Sequence, residues 1–218
     1  MNQIDTKFII FWGNLFTKPK AFFSNNINDD NQLPAYFNLA LIVYGIGYGI
    51  DRLDRQLTKF DLKGRLDEVE FINSWFGYWL VAIIGGLIGG YLSYLIGGWF
   101  FNIRLKWSKG TSNLNKSRYI FLYSSVVSSS IIILTTIISM FINNKPYDPE
   151  SEFNLWDLTT LILLVFSIYY SVYVSYSGVR AITDAEKSRS IIWFLVVPMT
   201  VYTITYITVI LIIYNYLS

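Results

Sequence analysis

The side chains able to do chemistry in this sequence are hydroxyls and carboxylates, because it contains no Cys and no His. Thiolate nucleophiles, imidazole bases, disulfides and metal sites built from those ligands are excluded. The hydroxyls gather in three apolar stretches. Ser124, Ser125, Ser128, Ser129, Ser130, Thr135 and Thr136 stand in the first, Ser167, Tyr169, Tyr173, Tyr176 and Ser177 in the second, and Tyr202, Thr203, Thr205, Tyr206 and Thr208 in the third. At helical spacing they could line a polar path for a lipid headgroup or neutral solute, with Ser128, Tyr173 and Tyr206 as its lining. Such hydroxyls more often bond across helices or back to their own carbonyls, at about 0.6 kcal/mol per interhelical contact. A hydrolase would need a nucleophile beside a base or metal, and these stretches hold no acid and no lysine. The acidic groups Asp67, Glu68, Glu70 and Asp148, Glu150, Glu152 lack the spacing of a calcium loop and read as solvated loops. We expect no catalytic residue, no cofactor and no metal: a non-enzymatic protein.

The elements that must carry these groups are set by composition. Of 218 residues, 53% are hydrophobic and 15% charged, against about 25% charged in soluble domains. The formal charge of +2 is too small to imply a nucleic-acid partner. Residues 71–103 carry no charge and include a glycine-rich stretch. At a spacing of four, Gly85, Gly89, Ser93 and Gly97 lie one above another, with Ala82, Gly86 and Gly90 in an adjoining row and Gly98 at the end. In water each glycine would weaken a helix by roughly 1 kcal/mol. In a bilayer the helix is still favoured, and its bare stripe admits another helix closely. Whether that helix belongs to the same chain or to another is open at this point.

Charge-free runs measured against the roughly 20 residues that cross a hydrocarbon core give an all-α polytopic membrane helix bundle. Its five spans cover about 34–50, 75–101, 119–142, 157–179 and 190–216, with Pro34 near the first start and Pro198 expected to kink the last. Residues 31–218 form this domain. Residues 1–30 precede it as an amphipathic helix and a polar linker, because Phe8, Phe11, Trp12, Leu15 and Phe16 share one helical face. That face either lies in the membrane interface among acyl chains or packs on the protein's own spans. Residues 51–70 read as a mixed-charge loop in which Leu53, Leu57, Phe60 and Leu66 could make an interfacial helix.

Orientation follows from Lys and Arg. Eleven lie in the N-terminal segment and in the stretches after the second and fourth spans, and six on the other side, so the N-terminus is expected in the cytoplasm and the C-terminus outside. The stretch from Arg104 through Lys106 and Lys109 to Arg118 holds five cations and no acid, with Trp99, Trp107 and Tyr119 nearby. Each cation near an anionic leaflet is worth about 1 kcal/mol. Arg104, Lys106 and Lys109 are therefore candidates for membrane-surface or lipid contact, alongside the aromatic N-terminal face.

The amphipathic start, the run Thr17-Lys18-Pro19-Lys20-Ala21-Phe22-Phe23, the Gly97-Gly98 end of the second span, its basic stretch and Tyr123-Ser124 at the head of the third resemble the Yip family of Ypt/Rab-interacting membrane proteins, in its bacterial branch. Where relatives often carry a proline soon after that Tyr-Ser pair, this chain has Val126-Val127. The resemblance implies a five-span fold, a cytoplasmic N-terminus and association with like proteins. The expected function is that of a membrane-organising or partner-binding scaffold in a bacterial inner membrane, touching lipids and either itself or another membrane protein. The alternative is a small permease, channel or lipid translocator using the hydroxyl path.

Overall fold

A computed structural model describes residues 3–27, 33–152 and 154–217, all of whose regular elements are helical. The polar linker expected before residue 31 lies partly outside the described residues. In chain order the helices are α1 (Gln3–Thr17), α2 (Pro19–Asn26), α3 (Phe37–Asp61), a 3-10 turn (Leu66–Val69), α4 (Trp75–Trp107), α5 (Leu114–Ile142), α6 (Leu155–Ile182) and α7 (Lys187–Ile191), followed by a π turn (Ile192–Val196) and α8 (Val197–Leu217). Four stretches are long and apolar enough to cross a membrane: Trp75–Trp107, Leu114–Ile142, Leu155–Ile182 and Lys187–Thr208.

Helix boundaries follow local chemistry. Pro19 starts α2 at a position where its missing N–H is no loss. Ser74 caps α4 by accepting from the Gly77 amide at 3.2 Å, and Asn113 caps α5 by accepting from the Lys116 amide at 2.9 Å. Asn154 and Asp157 form a reciprocal capping box at the start of α6. The end of α4 is a Schellman turn: Lys109 takes the left-handed conformation (φ 57°), and the Gly110 amide reaches back to the Leu105 carbonyl at 3.0 Å.

Two expectations are corrected here. The helix of the first expected span does not stop at Ile50. It runs without a break to Asp61, because Ile50, Leu53 and Leu57 continue one buried helical face against Val69, Tyr78 and Ala82. Residues 51–61 are therefore helix and not loop, and the charges there keep α3 out of the set of span-like helices. The second correction concerns the basic stretch. Arg104 and Lys106 lie in the last turn of α4 and Lys116 and Arg118 in the first turns of α5, so the connecting loop is only residues 108–113.

The core is apolar, and so is much of the outer surface of the bundle. Ile84, Ile88, Leu92 and Ile96 of α4 and Leu161, Ile162 and Phe166 of α6 are exposed, whereas Ser117, Ser129, Thr135, Ser167 and Ser177 are buried. Apolar side chains outside and small polar ones between helices are what a lipid surround rewards. Neighbouring helices of the α3–α6 set run antiparallel. The α1–α2 unit lies against α6, and the π turn and α8 pack back on α6 and α4.

Candidate functional site

The row that meets α3 of the same chain backbone to backbone is Ala82, Gly86 and Gly90. A Cβ on Gly86 would stand 2.5 Å from the Gly45 carbonyl oxygen and 3.0 Å from the Gly49 Cα; one on Gly90 would stand 2.6 Å from the Gly45 Cα. Gly49 faces the Ala82 carbonyl and Gly86 in return. α3 and α4 thus touch backbone to backbone through glycines on both sides, a contact no side chain permits. The adjoining row serves several neighbours. Gly89 lies under the Tyr48 ring, Ser93 bonds the Tyr44 hydroxyl at 2.8 Å, and Gly97 lies under Phe121, while Gly98 meets Arg118. Gly85 is exposed and a Cβ there meets only Val81 of its own helix, at 4.0 Å.

The aromatic N-terminal face divides in two. Leu15 and Phe11 are buried, Trp12 and Phe16 half-buried, and Phe8 exposed together with Ile9 and Ile10. Phe11 packs edge-on against Phe22, Tyr36 and Tyr123, with ring centroids 4.9, 4.9 and 6.1 Å away. The Tyr170 hydroxyl donates to the Phe16 carbonyl at 2.6 Å and the Tyr123 hydroxyl to the Ala35 carbonyl at 2.8 Å. Phe23, wholly buried, sits over Gly178. Phe11 and Leu15 of the expected face pack on the bundle, and Phe8 remains exposed at its edge.

Ser128, Tyr173 and Tyr206 do not converge. The Ser128 hydroxyl donates to the Ser125 carbonyl at 3.1 Å, Tyr173 borders a hollow beside Lys18, Pro19 and Lys20, and Tyr206 lies against Tyr169. Several hydroxyls of α5 and α6 are likewise spent within their own helices: Ser124, Thr135, Thr136, Ser167 and Ser171 donate to carbonyls three or four residues back at 2.8–3.0 Å.

Polar groups do converge at the end of the bundle where α3 finishes and α4 begins. A cavity of about 210 Å³ there is lined by Asp51, Asp54, Trp75, Tyr78, Thr135, Thr136, Ser139, Thr160 and Ser167. The Tyr78 hydroxyl donates to Asp54 at 2.5 Å, and Arg55 pairs with Asp51 at 2.9 Å. Asp54 is exposed as a residue, while its carboxyl is set beside Tyr78 in the cavity wall. Partial desolvation there pushes the carboxyl up to about 6, against the opposing pull of the Tyr78 hydroxyl. The buried Thr160 hydroxyl has no hydrogen-bond partner among the described residues. Residues 143–148 are held over this end, with Asn73 exchanging two 2.9 Å bonds with the Tyr147 backbone and Trp75 donating to the Asn143 carbonyl at 2.9 Å. Reading residues 51–70 as a loop hid Asp54. The usable signal was the unbroken spacing of Ile46, Ile50, Leu53 and Leu57.

At the opposite end, Lys106 and Lys109 are exposed and Arg104 turns inward. The loop at 108–113 is tied to the α6–α7 connection. The Glu186 amide donates to the Ser108 carbonyl at 2.9 Å, the Thr111 amide to Asp184 at 2.7 Å, and the Thr111 hydroxyl also to Asp184. Glu186 pairs with Lys109 at 3.2 Å and Arg189 at 3.3 Å, and Trp107 packs on Trp193 at 4.6 Å between centroids. Hydrogen bonds from Thr111 hold the Asp184 carboxyl below its ordinary range, and the Ser188 hydroxyl and Lys109 do the same for Glu186. Among the described residues no group of three or more acidic side chains could hold a metal ion.

No curated protein and no solved structure matches the chain. The Yip1 domain family matches residues 13–210, from within α1 to within α8. With that match and its apolar helices, the chain is a multi-pass membrane protein belonging to the Yip1 family.

Proposed function

We propose that the protein is a five-span, non-enzymatic membrane-organising scaffold of a bacterial inner membrane, with its N-terminus in the cytoplasm and its C-terminus outside. α3 supplies the fifth span. Its 25 residues extend about 37 Å, and its charged turns then reach the outer interface, beside the Asp54 cavity. The observation that carries the scaffold reading is the cross-tied basic end, where Asp184 and Glu186 bind the 108–113 loop to the α6–α7 connection. A surface already held rigid loses little freedom when a partner docks, and Lys106, Lys109 and Lys187 remain exposed on it for an anionic leaflet or an acidic partner surface. The partner is a second copy or another membrane protein, with Phe8, Ile9 and Ile10 in contact with lipid. The separation of Ser128, Tyr173 and Tyr206, with Ser128 bonded to its own helix, supports the non-enzymatic reading.

The test is the mass of the purified protein in lipid nanodiscs over a range of protein-to-lipid ratios. A fixed oligomer or a stoichiometric complex is expected, and a monomer at every ratio would overturn the scaffold. The Asp54 cavity favours a second reading, a small-solute translocator, which predicts solute flux in proteoliposomes that Asp54→Asn changes. For orientation, the absence of native Cys allows single cysteines at Ser112 and Ser151. An impermeant maleimide on intact cells should label Ser151→Cys alone; labelling of Ser112→Cys would reverse the topology.

A further inference from the structure

Arg104 is half-buried, and its surroundings are unusual for a guanidinium. Its Nε and Nη2 donate to the Trp193 carbonyl at 3.1 and 2.7 Å, and its Cζ lies 5.5 Å from the Phe101 ring centroid and 4.5 Å from that of Phe194. Among the described residues no carboxylate pairs with it.

The carbonyl it binds is vacant for a reason written in the sequence. In the π turn the Val197 amide donates to Ile192, five residues back. The next amide in that register would serve Trp193, but it belongs to Pro198, which has no N–H. Pro198 therefore produces a local change of helical register and an orphan carbonyl, which Arg104 fills.

This uses two of the five guanidinium N–H groups, and the Phe101 and Phe194 rings offset only part of the charge. Trp193 lies six residues beyond Lys187, or about 9 Å along the helix, so the cation is set back from the exposed lysines, where an ionised group loses part of its hydration. Beside it is a cavity of about 110 Å³, also bordered by Ser125, Ser175 and Tyr202. The hydroxyls of these three have no hydrogen-bond partner among the described residues. A cation with no carboxylate partner, three unused N–H donors and three unused hydroxyls thus border one small space.

We infer that this cavity binds a single phosphoryl anion, either the phosphodiester of an anionic lipid or free phosphate. The volume suits one phosphoryl group and not a nucleotide. The site does not depend on the scaffold reading, because it is built within one chain and needs no partner.

The full chain, delipidated in a neutral detergent, is titrated with dioleoylphosphatidylglycerol and separately with inorganic phosphate, and adducts are counted by native mass spectrometry. A first, saturable 1:1 adduct is expected, weakened at least about tenfold in Arg104→Gln, as befits loss of a charge-assisted bond. An adduct with the lipid alone identifies a phosphodiester site; an adduct with phosphate that competes with the lipid identifies a site for the phosphoryl group itself. Because Arg104→Gln also frees the Trp193 carbonyl, it decides only if it elutes as the folded protein. Otherwise the double variant Ser175→Ala/Tyr202→Phe decides, since it keeps the Arg104–Trp193 bonds and should still weaken the first adduct about tenfold. No saturable adduct with either probe, or one unchanged in the deciding variant, would overturn the site and leave Arg104 as a closure for the Trp193 carbonyl.

Discussion

Gly85 and Gly86 are neighbours in α4 with opposite roles, and exchanging each for alanine isolates the packing energy of the α3–α4 seam. At Gly86 the new methyl would lie 2.5 Å from the Gly45 oxygen and 3.0 Å from the Gly49 Cα, both backbone atoms that cannot turn aside. Relaxed contacts are about 3.5–4.0 Å, so the two helices must separate by about 1 Å. Overpacking of that size costs about 1–3 kcal/mol, and the gain in helix propensity returns at most about 1 kcal/mol. At Gly85 the same propensity gain comes without the clash, because only Val81 Cγ1 lies near, at 4.0 Å. The difference between the two variants is then the packing cost itself, about 1–3 kcal/mol. Unfolding of both in detergent by urea, followed through the fluorescence of the seven tryptophans, measures it. Equal stabilities would refute the backbone contact. So would a change of oligomeric mass in Gly86→Ala with unfolding unaltered, which would put the row between chains.

Phe23→Ala should empty the contact over Gly178 and cost about 3–5 kcal/mol of local packing, seen as protease cleavage between α2 and α3 while the remaining helices stay protected. Asn73→Ala removes both bonds to the Tyr147 backbone and should lower stability by about 1–3 kcal/mol, with faster hydrogen exchange at the Tyr147 amide. For Asp54 the folded carboxyl titrates near 6 against an ordinary 3.8, so the folded state binds more protons between those values. Stability is then greatest below about pH 4 and falls as pH rises to about 6. Solvent access through the cavity mouth holds the effect under about 1 kcal/mol. Asp54→Asn should abolish the slope in melting temperature between pH 4 and 7, and an unchanged slope would assign it to another group.

Much of the architecture could be read from the chain because it rests on local rules. The charge-free runs had to be helices whose backbone bonds close internally. Ser74 and Asn154 are cap-forming residue types just ahead of the apolar runs. Rotation and register about each helix axis were not legible, since they depend on what stands opposite. Gly85 and Gly86 differ by one residue and about 100° around α4, yet only Gly86 meets Gly45 and Gly49, because α3 approaches from that side. The same holds for the charged groups. Asp54 follows an apolar face legible in the spacing of Ile46, Ile50, Leu53 and Leu57, but its bond to Tyr78, across 24 residues of sequence, is set by the packing of α3 on α4. Arg104 sits in a stretch whose composition suggested a surface. It turns inward because Pro198, 94 positions later, leaves a carbonyl without a donor, and only folding brings the two within reach.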